Sequence, residues 1–160
     1  LAIRATERGW GERWTHFTQD EQITLMTLWC IFRSPLMVGA ELNDNDEFTL
    51  NLLTNDEVLA LLRDGRNARQ VYREERYNYA GEVIVWKAED EAGAAYCAVF
   101  NCGPKARDLA VQLQSTLDLP EGRYAGRDLW THEEVPVGAH ALEVVVPSHG
   151  ARLIKLTRAE

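Results

Sequence analysis

The chain has 160 residues and a net charge of -8 at pH 7, a length that fits one domain or two small ones. The acidic balance argues against a nucleic-acid partner, because a phosphate backbone is itself negatively charged. The sequence contains no apolar run of the ~18–20 residues that a membrane-spanning helix needs. The apolar and charged fractions, 46% and 26%, are ordinary for a globular protein.

The three cysteines favour reduced, buried thiols over a disulfide framework. Cys30 lies within an apolar run, and Cys97 and Cys102 can form at most one bridge. Reduced thiols favour a cytoplasmic location. The chain begins with Leu1 rather than Met and shows no signal peptide, so we expect it to be a piece of a longer protein.

The first long element that the sequence predicts is a helix over residues 19–33. Thr18 followed three residues later by Glu21 forms a capping box, whereas residues 1–17 show no period and are predicted to be a loop. Apolar side chains occur nearly all round the helix, which predicts burial on most of its sides.

The pair Ser34-Pro35 ends this helix, because the residue before a proline disfavours helical geometry. The apolar run at residues 36–38, which ends at Gly39, predicts a short buried strand of a parallel sheet. A buried helix that leads into such a strand is typical of an α/β protein. The strand would need neighbours that this chain does not supply.

Two short helices follow, and Asn55 and Gly65 are predicted to begin and end the second. After about residue 67 the hydrophobic period changes to that of strands. Short apolar or alternating runs separated by turns indicate an antiparallel sandwich. The predicted strands are 83–86, 96–100, 109–114, 123–130, 142–146 and 153–156.

Four pairs of acidic residues are candidates for the two carboxylates that hydrolysis of a sugar linkage needs. They are Asp44 with Asp46, Asp56 with Glu57, Glu74 with Glu75, and Glu133 with Glu134. Each pair lies in a polar loop or at a helix start, which favours solvated or capping roles. The Asp44-x-Asp46 pair resembles the start of a calcium loop, but the glycine and distal glutamate of that motif are absent.

The remaining polar residues form no catalytic or metal-binding pattern, and we predict no catalytic, cofactor-binding or metal-binding residue in this chain. Ser148 lacks a nucleophile elbow, and the histidines lack the spacing of a helical zinc site, although His132 and His140 could converge across a hairpin. Trp86, Tyr124 and Trp130 could form a sugar-stacking platform, but a place in the sandwich core is favoured. The four histidines are His16, His132, His140 and His149.

Several stretches resemble glycoside hydrolase family 27, the α-galactosidases and α-N-acetylgalactosaminidases. "FTQDEQITLMTLWCIFRSPLMVGAEL" and "LLTNDEVLAL" are similar to the end of the family's catalytic barrel, and "VIVWKA", "AVFN", "GRDLWT" and "SHGARLIKL" to its C-terminal sandwich. The chain departs from the family at Leu61-Leu62-Arg63-Asp64, where many members read Asn-Gln-Asp. This departure leaves galactose, N-acetylgalactosamine and other α-linked sugars open as the substrate.

The resemblance implies a mainly β fold, an antiparallel β-sandwich preceded by the helical last segment of a (β/α)8 barrel. Residues 1–66 would close the barrel, with 36–38 as its last strand, and residues 67–160 would form the sandwich. Family members hydrolyse α-galactosides with retention by means of two aspartates, and neither aspartate matches a residue of this chain. Since barrel active sites lie at the C-terminal ends of the strands, the loop 39–46 is predicted to border the active-site mouth.

The leading interpretation is the C-terminal part of a retaining α-galactosidase-like hydrolase that needs no cofactor. The upstream barrel would bind the α-galactoside, and this piece alone would be inactive. The alternatives are a non-catalytic carbohydrate-binding module and an assembly module with helix 19–33 at an interface. Because so apolar a helix would leave a large exposed patch, we expect either a homo-oligomer or packing of the helix on the sandwich.

Overall fold

The computed structural model describes residues 2–3, 13–40, 42–74 and 82–159. Near the start of the chain, β1 (Ala2–Ile3) pairs with β2 (Arg13–Trp14) in a two-residue antiparallel ladder. The prediction of a loop over residues 1–17 is wrong at these positions, because so short a pairing has no hydrophobic period to reveal it. Trp10, which was part of that predicted loop, lies outside the described residues.

Helix α1 (Gln19–Phe32) begins at the predicted capping box. Thr18 Oγ1 accepts a hydrogen bond from the backbone N–H of Glu21 at 3.2 Å, and the Glu21 carboxylate accepts one from the Thr18 N–H at 2.7 Å. The helix ends at Arg33, which adopts a left-handed backbone with φ of 59° and donates its N–H to the Cys30 carbonyl. The predicted start and end of this helix are therefore confirmed.

Only one side of α1 is buried. Met26, Cys30 and Ile31 pack against the sheet, whereas Leu28 and Phe32 are 41% and 60% exposed. The prediction of burial on most sides is wrong, because the described residues cover one face of the helix only. The expectation that the helix packs on the sandwich is confirmed by its contacts with the central strands of the sheet.

Residues 36–38 do not form the predicted buried strand, and Met37 is 82% exposed. A strand needs a neighbour to complete its hydrogen-bond ladder, and none of the strands in the described part of the chain runs beside this segment. The turn before it is held by Trp29, whose indole N–H donates to the Pro35 carbonyl at 3.0 Å. The proline therefore ends the helix without starting a strand.

The segment between α1 and the sheets contains a 3₁₀ turn (Leu42–Asp44), α2 (Glu47–Thr54) and α3 (Asp56–Asp64). Asn55 caps α3 as predicted, because its Oδ1 accepts the backbone N–H groups of Glu57 and Val58, each at 3.1 Å. Gly65 closes the helix by donating its N–H to the Leu61 carbonyl at 2.9 Å. No described helix is long and apolar enough to cross a membrane.

The strands that follow are β3 (Arg66–Glu74), β4 (Val83–Glu89), β5 (Ala95–Asn101), β6 (Arg107–Gln112), β7 (Tyr124–Asp128), β8 (Glu134–Val135), β9 (Ala141–Val146) and β10 (Ala151–Arg158). Six of them form an antiparallel sheet in the order β3-β4-β5-β10-β7-β8, and β6 pairs with β9 in a second, two-stranded sheet. The predicted antiparallel sandwich and its six predicted strands are confirmed, with ends that differ by a few residues.

Strand β3 is missing from the sequence prediction, although it has nine residues. Its sequence, RNARQVYRE, is mostly polar, its pairing with β4 contains two register shifts, and Asn67 has a positive φ of 53°. Charged side chains and bulges are typical of edge strands, where they discourage pairing with other chains. The properties that suit β3 to the edge also remove the alternating pattern by which a strand is recognised.

Strand β5 is the centre of the fold, because all seven of its residues are buried. Tyr96, Ala98 and Phe100 face a core shared with the three helices, whereas Cys97 and Val99 face a second core under β6 and β9. The molecule therefore has three layers, with the six-stranded sheet between the helices and the small sheet. The helices and the sandwich share a core rather than standing apart.

Asn101, at the end of β5, is 1% exposed and satisfies the backbone of two loops. Its side-chain NH₂ donates to the carbonyls of Lys105 and Pro147 at 2.8 Å and of Val146 at 3.3 Å, and its Oδ1 accepts the Gly103 N–H at 3.0 Å. The "AVFN" motif thus places a buried amide that joins the end of β5 to the backbone at residues 103–105 and 146–147.

We predict that Asn101→Ala lowers the free energy of unfolding by about 2–3 kcal/mol, because it removes all the hydrogen bonds of a buried amide. Urea unfolding at pH 7 measures the change. Asn51→Ala, which removes an exposed amide from α2, is the matched control and should change stability little. Equal unfolding midpoints for the two variants would contradict the role assigned to Asn101.

Candidate functional site

Three polar side chains join α3 to the sheet at the surface. Arg127 on β7 donates from Nε and Nη2 to the two carboxylate oxygens of Glu57 at 2.8 and 2.7 Å, and His132 Nδ1 lies 2.8 Å from Glu57 Oε1. Arg127 Nη1 also donates to the His132 carbonyl at 2.5 Å. We call Glu57, Arg127 and His132 the clamp, because they hold the first turn of a helix to the sandwich.

The clamp keeps Glu57 ionised. The two hydrogen bonds from Arg127, followed by the contact with His132, lower the pKa of Glu57 to about 2 against the partial burial that opposes them. A catalytic acid or base needs a pKa near the working pH. Glu57 therefore acts as a fixed acceptor rather than as a proton donor.

The turn after β7 positions the side chains beside the clamp. Asp128 Oδ1 accepts the backbone N–H of Trp130 at 2.9 Å and of Thr131 at 3.3 Å. Trp130 Nε1–H in turn donates to Thr27 Oγ1 on α1 at 2.8 Å, and Asn55 Nδ2 donates to the Leu129 carbonyl at 2.7 Å. The "GRDLWT" motif therefore forms a rigid turn that is bonded to α1 and to the residue between α2 and α3.

A cleft of about 690 Å³ opens between this turn and the helices, and we call it the Trp130 cleft. Its apolar lining comes from Ile23, Phe48, Leu52 and Trp130. Its polar lining comes from Asn51, Thr54, Asn55, Asp56, Glu57 and His132. The cleft therefore combines an aromatic wall with amide, carboxylate and imidazole groups, and its volume is within the range of small-molecule sites.

The acidic pairs singled out in the sequence have separate structural surroundings. Asp46 caps α2 through a 2.8 Å hydrogen bond from the Thr49 N–H, and bonding to Thr49 lowers the pKa of its carboxyl. Glu74 pairs with Arg107 at 2.7 Å. Glu75 lies outside the described residues. The others are Asp44 in the 3₁₀ turn, Glu57 in the clamp, and the exposed Asp56, Glu133 and Glu134.

The four histidines lie in exposed loops and turns, and only His132 lines the Trp130 cleft. Ser148 and His149 form the predicted turn, in which the Gly150 N–H donates to the Pro147 carbonyl at 3.1 Å. Within the described ranges no three His, Cys, Asp or Glu side chains are grouped closely enough to hold a metal ion.

The cysteines are free thiols, as predicted, but only two are fully buried. Burial raises the pKa of Cys30 to about 11 and that of Cys97 to about 12. Cys102 is exposed, so the expectation of burial is wrong for this residue, which lies just beyond the last residue of β5. The high pKa values of the two buried thiols remove them as nucleophiles at neutral pH.

The three aromatic residues considered for a sugar-stacking platform do not share a surface. Trp86 and Trp130 pack against the core on the helix side of the sheet, and Tyr124 packs against the core on the opposite side. Trp86 makes an edge-to-face contact with Phe32, with ring centroids 5.6 Å apart. All three are partly buried and pack against a core without lying fully inside it, and Trp130 also lines the Trp130 cleft.

Arg127 is not indicated as a functional residue by the sequence alone, although it belongs to the motif "GRDLWT". Glu57 and Arg127 are 70 positions apart, and a single sequence gives no signal for a pair so distant. Only the fold brings the helix start and the β7–β8 turn together.

Comparison with known proteins identifies the sandwich directly. Residues 80–156 match the family described as the alpha galactosidase C-terminal beta sandwich domain. A solved structure of a GH27 β-L-arabinopyranosidase from Geobacillus stearothermophilus is 43% identical to this chain, with a TM-score of 0.84. The likeness covers 98% of this chain and 34% of the bacterial enzyme.

Two curated relatives are α-galactosidases by name. Alpha-galactosidase D of Emericella nidulans is 31% identical over 143 residues, which cover 87% of this chain and 20% of the fungal protein. Alpha-galactosidase 2 of Arabidopsis thaliana is 24% identical over 143 residues, covering 88% of this chain and 35% of the plant protein. The chain thus spans about a third or less of the length of these relatives.

The clamp makes stability depend on pH. The pKa of Glu57 is about 2 in the folded chain and about 4.3 in an unfolded one. The clamp therefore contributes its full stabilisation of the folded state above pH 4–5. The stabilisation declines as pH falls towards 2. We predict that Glu57→Gln lowers the free energy of unfolding by about 1 kcal/mol at pH 7, a value suited to a partly exposed pair.

Urea unfolding of the native chain and the Glu57→Gln variant at pH 7, 4 and 3 tests this prediction. The difference should shrink at each step towards lower pH. Asp56→Asn, which changes the neighbouring exposed carboxylate, should leave the pH dependence of the native chain intact. A difference that stays constant from pH 7 to pH 3 would show that the charge of Glu57 is not what stabilises the fold.

Proposed function

The chain belongs to glycoside hydrolase family 27, and we propose that it is the C-terminal part of a retaining glycosidase that removes terminal α-linked galactose from oligosaccharides. The observation that carries the family is the 43% identity to a GH27 enzyme across both the helices and the sandwich, and the choice of α-linked galactose rests on the two α-galactosidases, which are 31% and 24% identical. The likeness to the GH27 enzyme covers 98% of the chain. It therefore includes the helical segment, which precedes the residues that match the sandwich family.

We propose that residues 1–66 complete a catalytic barrel and that residues 67–160 form the sandwich that supports it. The described helices end at Asp64 and the first strand of the large sheet starts at Arg66, which supports a boundary near this position. The core shared by α1 and β5 supports a structural role for the sandwich, since it covers the inner face of the helices.

The catalytic carboxylates are proposed to lie upstream of residue 1. Glu57 is fixed by Arg127, Asp46 caps a helix, and Glu74 pairs with Arg107. Retaining hydrolysis needs two carboxyl groups ≈ 5–5.5 Å apart that serve as nucleophile and acid/base. These three carboxylates instead form contacts that stabilise the fold. Their structural use supports the proposal that the 160-residue chain alone is inactive.

A β-L-arabinopyranosidase is the second candidate. The solved enzyme of that name is 43% identical to this chain, whereas the two α-galactosidases compared above are 31% and 24% identical. β-L-Arabinopyranose has the ring stereochemistry of α-D-galactopyranose and lacks its C6 hydroxymethyl group. The two activities therefore differ in whether the enzyme has a pocket for the C6 hydroxymethyl group. The chemistry of bond cleavage is the same for both.

The exposed apolar side chains of the helical segment suit contact with the proposed barrel. They include Leu28, Phe32, Met37 and Leu42, which are 41–82% exposed. Self-association of the chain through these residues stays a prediction, as does the absence of a nucleic-acid partner, which the net charge of -8 supports.

Hydrolysis of p-nitrophenyl α-D-galactopyranoside and p-nitrophenyl β-L-arabinopyranoside tests the proposal. We expect no turnover by the 160-residue chain and turnover by the same chain with its natural upstream sequence. The ratio of kcat/KM for the two substrates decides between the two candidate activities.

Turnover by the 160-residue chain would contradict the upstream location of the carboxylates. An extended chain that cleaves neither substrate would contradict both candidate activities. Far-UV and near-UV circular dichroism of each sample controls for folding.

The loop 39–46 is proposed to border the active-site mouth. We predict that Asp44→Ala in the extended, active chain lowers kcat/KM by about 3-fold or more, because Asp44 lies in this loop. Asp46→Ala is the contrasting variant, since it removes the cap of α2 and should lower the stability by about 1 kcal/mol. Unchanged kinetics for Asp44→Ala would place the loop away from the substrate.

A further inference from the structure

Hydrogen bonds hold Trp130 and the clamp residues of the Trp130 cleft in place. Trp130 is fixed at both ends, by the bond from its backbone N–H to Asp128 and by the bond from its indole N–H to Thr27. Glu57 and His132 are fixed by the 2.8 Å contact between them and by Arg127. Walls that are already ordered reduce the conformational entropy that a ligand has to overcome on binding.

The lining of the cleft suits an amphipathic ligand. Trp130 and Phe48 provide aromatic surface, on which a ligand can place carbon-bound hydrogens. Asn51 offers an amide that both donates and accepts hydrogen bonds, and Asp56 offers a carboxylate that accepts them. Both are exposed side chains on the helical side of the cleft.

A pyranose sugar has this combination of properties, with one face of C–H groups and a rim of hydroxyl donors. The carboxylate of Asp56 favours a ligand rich in hydroxyl donors and disfavours an anionic one. A volume of about 690 Å³ has room for one or two sugar rings. The cleft therefore favours a neutral saccharide over a phosphorylated or acidic ligand.

We propose that the Trp130 cleft binds a neutral saccharide with galactose configuration and does not cleave it. The ring lies against Trp130, and its hydroxyl groups bond to Asn51 and Asp56. The choice of galactose rests on the proposed function, whereas the choice of a neutral pyranose rests on the lining of the cleft. Binding without cleavage follows because Arg127 and His132 already occupy Glu57, which leaves it unfit to transfer a proton.

The test is a titration of the ¹⁵N-labelled 160-residue chain with melibiose, followed by two-dimensional NMR. We expect saturable shifts of the Trp130 indole N–H and the Asn51 side-chain amide, with a dissociation constant of about 1–10 mM for so open a site. Maltose, a glucose disaccharide, is the control ligand and should bind at least 5-fold more weakly.

Two exposed variants test the site without disturbing the core. Asn51→Ala and Asp56→Ala should each weaken melibiose binding at least 5-fold while they leave the spectrum of the folded chain intact. Asp20→Ala is the matched control, because Asp20 is also an exposed acidic residue in the first turn of a helix and is absent from the cleft lining. It should leave binding unchanged.

Failure of the cleft and failure of the proposed function give different results. No saturable shift with melibiose, or shifts that survive both Asn51→Ala and Asp56→Ala, would overturn the site. Equal binding of maltose would overturn its galactose configuration. Hydrolysis by the extended chain without binding at the cleft contradicts the cleft alone, and binding without hydrolysis contradicts the proposed function alone.

Discussion

The central sheet has two apolar faces, and both have to be covered for the chain to fold. Strand β5 has Ala98 and Phe100 on one face and Cys97 and Val99 on the other, all of them buried. Antiparallel sheets commonly leave one face to solvent, but that arrangement would expose one of these rows. The small β6–β9 sheet covers one face and the helices cover the other. The helical segment is therefore a layer of the sandwich core as well as the proposed end of a barrel.

The edge of the large sheet is protected against contact with other chains, whereas the outer surface of the helical segment is not. Strand β3 protects one edge of the large sheet with charged side chains and an irregular register. The helical segment has no such protection, because large apolar side chains such as Phe32 at the end of α1 and Met37 in the loop after it are 60% and 82% exposed. Surfaces of this kind mark contact sites. Under the proposed function the barrel meets the chain on the helices, and the polar edge of the sheet remains in solvent.

The sequence correctly predicts the elements that depend on neighbouring residues. Its predictions are wrong where an element depends on residues that are distant in the chain. The Thr18 capping box, the Asn55 cap and the alternating strands are read correctly, because each depends on residues within a few positions. The run at 36–38 resembles a buried strand but has no partner among the described strands. Strand β3 is the reverse case. Its polar residues lack the alternating pattern of a strand, yet it forms one because it pairs with β4. The contacts of Arg127 with Glu57 and of Trp130 with Thr27 join residues 70 and 103 positions apart, and no local pattern predicts them.

The turn after β7 connects the fold to the proposed binding site. Arg127 and Trp130 hold the helices to the sandwich, and the same contacts fix the sandwich side of the Trp130 cleft. The opposite side comes from Phe48, Asn51 and Asp56 on the helices. A carbohydrate-binding module would carry its site within the sandwich alone, whereas this cleft exists only where the two parts meet. Saccharide binding here is therefore expected to disappear whenever the helices separate from the sheet, even if each part keeps its own secondary structure.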